Sequence, residues 1–469
     1  MVERREQETT ELGERIFMDC RLDNISTSSP SAKRNPPSAI FPSNVVVGIV
    51  PLVAFKDVPD HEKEKLLIAK LNHCCFIFDF SDPDKNSVEK DIKRQILIHI
   101  VDYVSTETFR FTESAIATCC RMFMENLYRT FPPRYRTAKT NGRENEEDPP
   151  VYDPAWWHLQ IVYELLIKFV SSTSLDETIA NKYLDHIFIS RLLELFDSED
   201  PREKDCLKIV VQKIYTKIVS LRPYICKSIN NILYTFPFEK QKHNGITELL
   251  EVFGTVISGF EPPLKEEHKV FLCRTLIPLH KPKNLGSYHL ELTYCLTQFL
   301  EKEPKLSSTL INGLLKYWPV TNSQKEVMFL SELEEILETA SAVEFQKIIF
   351  PMFRRIALCL NSFHYQVAER ALLLWNNAHI VRLIAENRWV ILPLVFPALE
   401  RNIREHWNRL VLNATQNVMK TFTEMDEELF LACQSKFEED RKLQETMEEK
   451  HRMTWENLES AASVSKLCV

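Results

Sequence analysis

The sequence predicts an all-α protein, on three observations. Apolar residues recur at three-and-four spacing in one stretch after another from about Leu66 onward, the pattern of helices with one buried stripe. The joining segments are short and carry Pro or Asp, which end or cap helices. Only eight glycines are scattered through the 469 residues, which argues against a glycine-rich nucleotide-binding architecture. The helical stretches fall in pairs at roughly forty-residue intervals, without literal repetition of sequence. A single amphipathic pair cannot bury its own stripe, so the pairs must stack on one another. The expected architecture is an elongated α-solenoid of HEAT-like helix-pair repeats over residues 51–435.

The elements follow in chain order. Residues 1–50 mix charge with Ser, Pro and Asn, as in Ser26-Thr-Ser-Ser-Pro-Ser-Ala-Lys-Arg-Asn-Pro-Pro37, and are expected to form a disordered arm. A helical pattern begins at Leu66, Leu67, Lys70, Leu71 and Cys74 and resumes over Val88–Val104. Between them, Asp82-Pro-Asp-Lys-Asn86 resembles the start of a calcium loop, but Ser87 and Lys93 stand where that loop needs Gly and its last ligand. Asp and Ser there read as turn and cap residues. A helix over Ala115–Thr130 leads to a polar loop near 135–152 that contains Glu144-Asn-Glu-Glu-Asp148, then Pro149-Pro150 and Trp156-Trp157.

The predicted pairs are Leu159–Val170 with Asn181–Phe196, Leu207–Val219 with Ile225–Phe236, and Ile246–Ile257 with Glu266–Leu279. The pattern continues through Tyr288–Leu300, Leu306–Tyr317, Lys325–Leu337, Glu344–Leu360 and Gln366–Ile384. Residues 436–469 form a charged segment, read as a solvated terminal helix and tail. Its apolar positions Phe437, Leu443, Met447 and Met453 keep no clean heptad for a coiled coil.

Composition excludes several function classes. A net charge of −8 gives no electrostatic basis for nucleic-acid binding. The charged N-terminus and the short apolar run Val45–Phe55, broken by Pro51, fit neither a secretory signal nor a membrane span. A soluble intracellular protein is expected, in the cytoplasm and with the nucleus as a second compartment. The twelve cysteines have no paired spacing, since Cys74-Cys75 and Cys119-Cys120 are adjacent, and read as reduced thiols. Gly254-Thr-Val-Ile-Ser-Gly259 has the glycine spacing of a phosphate loop, but Phe260-Glu261 follows where Lys and Ser or Thr are needed. Neither a nucleophile elbow nor a His-Glu-x-x-His zinc site occurs. His268 has no second His or Cys at ligand spacing on its helix. No catalytic constellation, metal site or cofactor is expected.

The stretch Cys206–Lys269 shows a use as well as a fold. Ile246, Leu249, Leu250, Phe253 and Ile257 make the core stripe of one helix, while Val252 and Val256 fall about 100° around it. Lys213, Lys217, Arg222, Lys265 and His268 border this second strip. Such a strip suits a short ligand with aliphatic side chains and acidic neighbours. On periodicity alone, packing against the next helix pair is the commoner reading of such flank residues.

Longer matches add a second line. Leu195-Phe-Asp-Ser-Glu-Asp-Pro-Arg-Glu-Lys-Asp205, Ser228-Ile-Asn-Asn-Ile232, His243-Asn-Gly-Ile246 and Pro263-Leu-Lys-Glu-Glu-His-Lys269 resemble the B-prime family of protein phosphatase 2A regulatory subunits. So do Leu315-Lys-Tyr-Trp-Pro319, Lys325-Glu-Val-Met-Phe-Leu330, Glu332-Leu-Glu-Glu-Ile-Leu337 and Gln366-Val-Ala-Glu-Arg-Ala371. The resemblance runs from about Leu52 to about Phe437.

It implies a non-catalytic subunit that joins a scaffold and a catalytic subunit in a heterotrimer. The partner would do the chemistry and hold any metal. Substrates would be recruited through short Leu-x-x-Ile-x-Glu segments. By resemblance, Val252 and Val256 line pockets for the segment's Leu and Ile, and both are smaller than the isoleucine usual there. Tyr215 and Arg222 frame and hydrogen-bond the segment, and Lys265 and His268 attract its acidic end. Gln212-Lys213 stands where the family usually has His-Arg, so Lys213 keeps a charge without the forked donor of arginine. Glu146, Glu147, Asp148 and Trp156 match an acidic loop and tryptophan that face the catalytic subunit, while Pro149 and Trp157 depart from the family pattern. An unrelated HEAT-type transport or scaffolding adaptor is the alternative.

Overall fold

The stripes legible in the sequence become the buried faces of helices in the computed structural model. It describes residues 52–466 apart from 83, 107–108, 130, 132–150 and 241–242, and leaves out the side chains of 240 and 461–466. The arm and the acidic loop with Glu146, Glu147 and Asp148 lie outside the described residues. The helices are α1 (Asp60–Cys74), α2 (Ser87–Val104), α3 (Glu113–Leu127), α4 (Trp156–Ser171), α5 (Glu177–Tyr183), α6 (His186–Glu194), α7 (Pro201–Lys217), α8 (Arg222–Thr235), α9 (Ile246–Ser258) and α10 (Glu266–Phe271). They continue with α11 (His289–Lys302), α12 (Ser307–Lys316), α13 (Ser323–Thr339), α14 (Ala342–Leu360), α15 (Tyr365–Leu372), α16 (Ala378–Glu386), α17 (Arg388–Glu405), α18 (Arg409–Met425) and α19 (Glu427–Lys466). Among the described residues there is no strand, and no helix is long and apolar enough to cross a membrane.

Contacts sort these helices into two layers. In the first, α2, α4, α7, α9, α11, α13, α15 and α18 pack in succession. In the second, α1, α3 and α5 follow one another, then α6 on α8 and α8 on the π-helical turn Leu272–Leu276. The 3₁₀ turn Ile277–His280 passes the layer to α12, which packs on α14, α14 on α17 and α17 on α19. Each repeat therefore touches its neighbours, the helix-pair solenoid that the spacing predicts.

Local chemistry explains where the observed helices depart from the predicted ones. The stretch 181–196 is two helices because the Asp185 carboxylate caps Phe188 N at 2.8 Å and starts α6 afresh. Asn377 likewise caps His379 N and Ile380 N and separates α16 from α15. Asn86, in left-handed backbone at φ 56°, precedes α2, so Ser87 is the first helical residue and not its cap. The terminal helix starts at Glu427 and straddles the expected boundary at 435–436, because its beginning packs on α17 and α18.

At the edge where second-layer helices return to the first, hydrogen bonds join successive repeats. Asn244 N and Nδ2 donate to Asp197, at 3.1 Å to its Oδ1 and 2.8 Å to its carbonyl. Gly245 follows, where an added Cβ would meet the Phe196 carbonyl oxygen at 2.4 Å, so the close approach of these turns admits only hydrogen. Lys325 Nζ donates to the carbonyls of His280, Lys281 and Pro282, and burial pulls its ammonium down to about 8. Further along, Asn402 Nδ2 donates to Leu360 O at 2.8 Å, and Trp407 Nε1 to Phe363 O at 3.2 Å. These bonds satisfy backbone groups that the helix ends leave open. Among the described residues the cysteines form no disulfide, and burial raises the Cys74 and Cys120 thiols to about 12, which makes them inert core residues.

Candidate functional site

The helices that form the α7–α9 seam carry five of the sequence-predicted residues, Gln212, Lys213, Tyr215, Val252 and Val256. Asp200 caps α7 by accepting from Arg202 N at 3.0 Å, and Pro201 follows at the first helical position. Along the seam, Lys204 Nζ lies 2.9 Å from Glu248 Oε1 and Lys208 Nζ 2.6 Å from Glu251 Oε2. The register continued one turn brings Gln212 level with Thr255, and one more turn brings Tyr215 level with Gly259.

Lys213 is exposed and Gln212 half-buried. The Arg222 guanidinium donates through Nε to Tyr215 O at 2.8 Å and through Nη2 to Thr216 O at 2.9 Å, and sits 5.2 Å from the Tyr215 ring centroid. It closes the C-terminal carbonyls of α7, which leaves the remaining guanidinium hydrogens for a ligand. Lys217 lies on the other side of α7, where it donates to Ser172 O at the end of α4. It does not border the seam, contrary to the sequence reading.

The valines are less open than expected. Val252 is 1% exposed and belongs to the contiguous core, so for it the packing reading holds. Val256 is 2% exposed but lies outside that contiguous core, which makes it the more distinct position of the two. Beyond α9, Lys265 projects with 74% of its side chain exposed, 3.8 Å from Glu267. The His268 ring stacks on Phe260 at 3.8 Å and 3°, its Nδ1 has no hydrogen-bond partner, and burial lowers its pKa despite Glu267 nearby. The lowered pKa favours the neutral form of this histidine, which stacking holds flat with its unpartnered Nδ1 buried.

Trp156, expected to face a partner, is 8% exposed and packs in the core. Its ring stacks on Tyr163 with centroids 6.4 Å apart, and the Arg202 guanidinium lies 4.7 Å from it. As the first residue of α4, Trp156 points along the buried stripe that continues to Tyr163. Its neighbour Trp157 is the exposed indole, at 60%, with the Arg94 guanidinium 5.6 Å from its ring.

Two buried ionic clusters escaped the sequence reading. In the first, Arg129 donates to both oxygens of Glu203, at 2.7 Å to Oε1, and lies 3.4 Å from Asp153. Tyr163 Oη donates to the same Glu203 Oε1 at 2.7 Å. Burial pushes the Asp153 carboxyl up, with Arg129 pulling partly back. In the second, His280 and His289 converge on Glu332, with Nε2 atoms 2.9 Å and 3.0 Å from its oxygens. Burial disfavours the Glu332 charge, yet the two imidazoles overcome that cost and hold it down to about 2. Both acids sit on apolar stripes, Glu203 before Cys206, Leu207 and Val210, and Glu332 among Phe329, Leu333 and Ile336. An acid on a buried stripe was the available signal. Among the described residues no group of His, Cys, Asp and Glu could hold a metal ion.

Comparison with known proteins gives a consistent result. Residues 52–462 match the family model described as protein phosphatase 2A regulatory B subunit (B56 family). The chain is 60% identical over 438 residues to the 57 kDa regulatory B' kappa isoform of serine/threonine protein phosphatase 2A from Oryza sativa subsp. japonica, covering 93% of this chain and 86% of that one. It is 58% identical over 430 residues to the B' kappa isoform of Arabidopsis thaliana, covering 92% and 86%. With the B' theta isoform of Arabidopsis thaliana it shares 56% over 409 residues, covering 87% and 83%.

Proposed function

The chain belongs to the B56 family of protein phosphatase 2A regulatory B subunits, and from that premise we propose that it binds a scaffold subunit and a catalytic subunit and presents substrates to them through the α7–α9 seam. It is a regulatory subunit and not itself an enzyme. The observation that carries the reading is the match over 52–462, which takes in nearly all of both helix layers.

Substrates bearing Leu-x-x-Ile-x-Glu segments fit the seam's chemistry. Val256, next along α9 from the Thr255 that stands level with Gln212, supplies a buried apolar contact, reached when the segment displaces the side chains that close it. Lys213 and Lys265 offer exposed positive charge, and the Phe260-stacked His268 offers a buried ring nitrogen that has no partner until the segment reaches it. Gln212 cannot become cationic, so a phosphate within the segment would gain only the point charge of Lys213. Glu146, Glu147, Asp148 and the exposed Trp157 are proposed to meet the catalytic subunit, with buried Trp156 fixing the direction of α4 behind them.

Titrating a Leu-x-x-Ile-x-Glu peptide into the folded chain tests the seam. Removing one hydrogen bond to a charged group costs about 1.5 to 3 kcal/mol, so His268→Ala weakens binding at least about tenfold. Lys265→Glu, at an exposed position, weakens it by opposing charge while leaving the thermal midpoint unchanged. Val256→Asp abolishes detectable binding, and its folding is checked by circular dichroism because the site is buried. Equal affinity of the wild type and the first two variants would place substrate recruitment elsewhere.

A further inference from the structure

The second layer carries a face whose charge runs against that of the chain. On α8 and the π-helical turn after it, Phe236–Lys240, the exposed residues Lys227, Asn231, Tyr234 and Phe238 fall within about 60° of one meridian. Tyr234 keeps 47% and Phe238 49% of their surface, with ring centroids 5.7 Å apart. Thr275 Oγ1 donates to Asn230 Oδ1 at 2.7 Å and fixes the register of Leu272–Leu276 on α8, which brings the exposed Arg274 onto the same side. The turn Phe236–Lys240 packs on Ile277–His280, and Lys281 and Lys283 follow at its end, both exposed. Lys281 Nζ stands 5.2 Å from the Phe238 ring centroid.

Among the described residues, none of Lys227, Arg274, Lys281 and Lys283 forms an ion pair, and Glu239 is the one acid on this face. The flanking α6 adds no net charge, because Arg191 and Glu194 pair with each other at 3.0 Å. Four cations with no ion-pair partner among the described residues, around two half-exposed aromatic rings on a chain of net charge −8, suit an anionic partner.

The form of the face selects among anionic partners. Helix backbone groups here are already bonded within the helix, so an extended peptide finds no edge to pair with. Three of the four cations are lysines, whose compact charges fix no ligand geometry and suit mobile headgroups better than a shaped acidic surface. Aromatic side chains flanked by lysine are also what a bilayer interface accepts at headgroup depth. We infer that the Tyr234–Phe238 face of the second layer, with Lys227, Arg274, Lys281 and Lys283, binds the surface of a bilayer that contains anionic lipid. The contact is peripheral and leaves the α7–α9 seam, in the other layer, available to substrate.

Sedimentation of the full-length chain with phosphatidylcholine vesicles, with and without about one third phosphatidylserine, reads this directly. Each lysine near an anionic surface contributes about fivefold in affinity. Wild type should bind the phosphatidylserine vesicles, lose that binding as salt rises, and leave the neutral vesicles in suspension. Lys281→Glu with Lys283→Glu should weaken binding at least about 25-fold, and Tyr234→Ser with Phe238→Ser should also weaken it. Both pairs are exposed, so the thermal midpoint should not move. Absence of wild-type binding, equal binding to neutral vesicles, or charge-reversed protein that still binds would overturn the inference. So would tight binding of soluble polyglutamate that the same charge reversal removes while vesicles stay unbound, since the partner would then be an acidic protein segment.

Discussion

Arg129→Met destabilises the chain by about 3 to 5 kcal/mol, the cost of removing one partner from a buried ion pair. The Arg129 side chain has no exposed surface and neither has that of Glu203. Burial alone would lower the arginine's affinity for its proton, but the carboxylate beside it reverses the effect and raises the pKa. Without the guanidinium, Glu203 keeps the Tyr163 hydroxyl as its hydrogen-bond donor and no neutralising charge. Arg129→Lys falls between the two, because an ammonium cannot donate to both oxygens in a fork. Joint replacement by Arg129→Met and Glu203→Met recovers much of the loss, since an apolar pair carries no desolvation cost. Urea unfolding of the three variants checks the series. A single Arg129→Met variant as stable as wild type would show that the cluster contributes nothing. Arg129 precedes and Asp153 follows the acidic loop, so the same substitution should also weaken assembly that depends on Glu146, Glu147 and Asp148.

Glu332→Ala has an effect of similar size through a different arrangement. His280 Nδ1 lies 2.8 Å from the Ile277 carbonyl, which only an N–H can satisfy, and its Nε2 faces Glu332. Both ring nitrogens of His280 lie within hydrogen-bond distance of oxygen, and its side chain has no exposed surface. Removing the carboxylate leaves Nε2 of both histidines without a hydrogen-bond partner in a buried site, at about 1 to 3 kcal/mol for each. Glu332→Gln costs less, because a neutral His280 can still accept from the amide. The acid dependence follows from the carboxylate. Its folded pKa of about 2 lies below the ordinary 4.5, so its contribution is complete above about pH 4.5 and is lost as pH falls toward 2. Wild type should therefore lose stability more steeply than Glu332→Gln across that window. Parallel acid limbs for the two proteins would remove the ion pair from the account.

Much of the fold was legible because a buried helix stripe has to repeat every three or four residues. The pairs over Leu207–Val219, Ile225–Phe236 and Ile246–Ile257 match α7, α8 and α9 closely for that reason. Breaks made by a single cap at Asp185 or Asn377 were not legible, since the apolar period runs through them unbroken. Of the seam, the level of Gln212 and Tyr215 against Thr255 and Gly259 follows from the Lys204–Glu248 and Lys208–Glu251 pairs, which no single-helix pattern contains. Arg222 read as a ligand residue, whereas two of its donors hold the end of α7. Lys217 read as part of the same rim because its angular position on α7 does not tell which neighbouring helix it faces. The ionic clusters were hidden for a related reason. Glu203 and Glu332 interrupt their stripes visibly, but their partners come from 74 residues away in one case and from 52 and 43 in the other.

Assembly with scaffold and catalytic subunits is proposed to use a surface separate from the α7–α9 seam. Mixing the purified chain with both subunits and resolving the mixture by size-exclusion chromatography tests it most directly. One complex holding all three chains, with phosphatase activity, is the expected result. That complex should still form with His268→Ala and should be weakened when Glu146, Glu147 and Asp148 are all reversed to Lys in a chain of unchanged thermal midpoint. A chain that elutes apart from both subunits, with activity remaining in the scaffold and catalytic fractions alone, would contradict it.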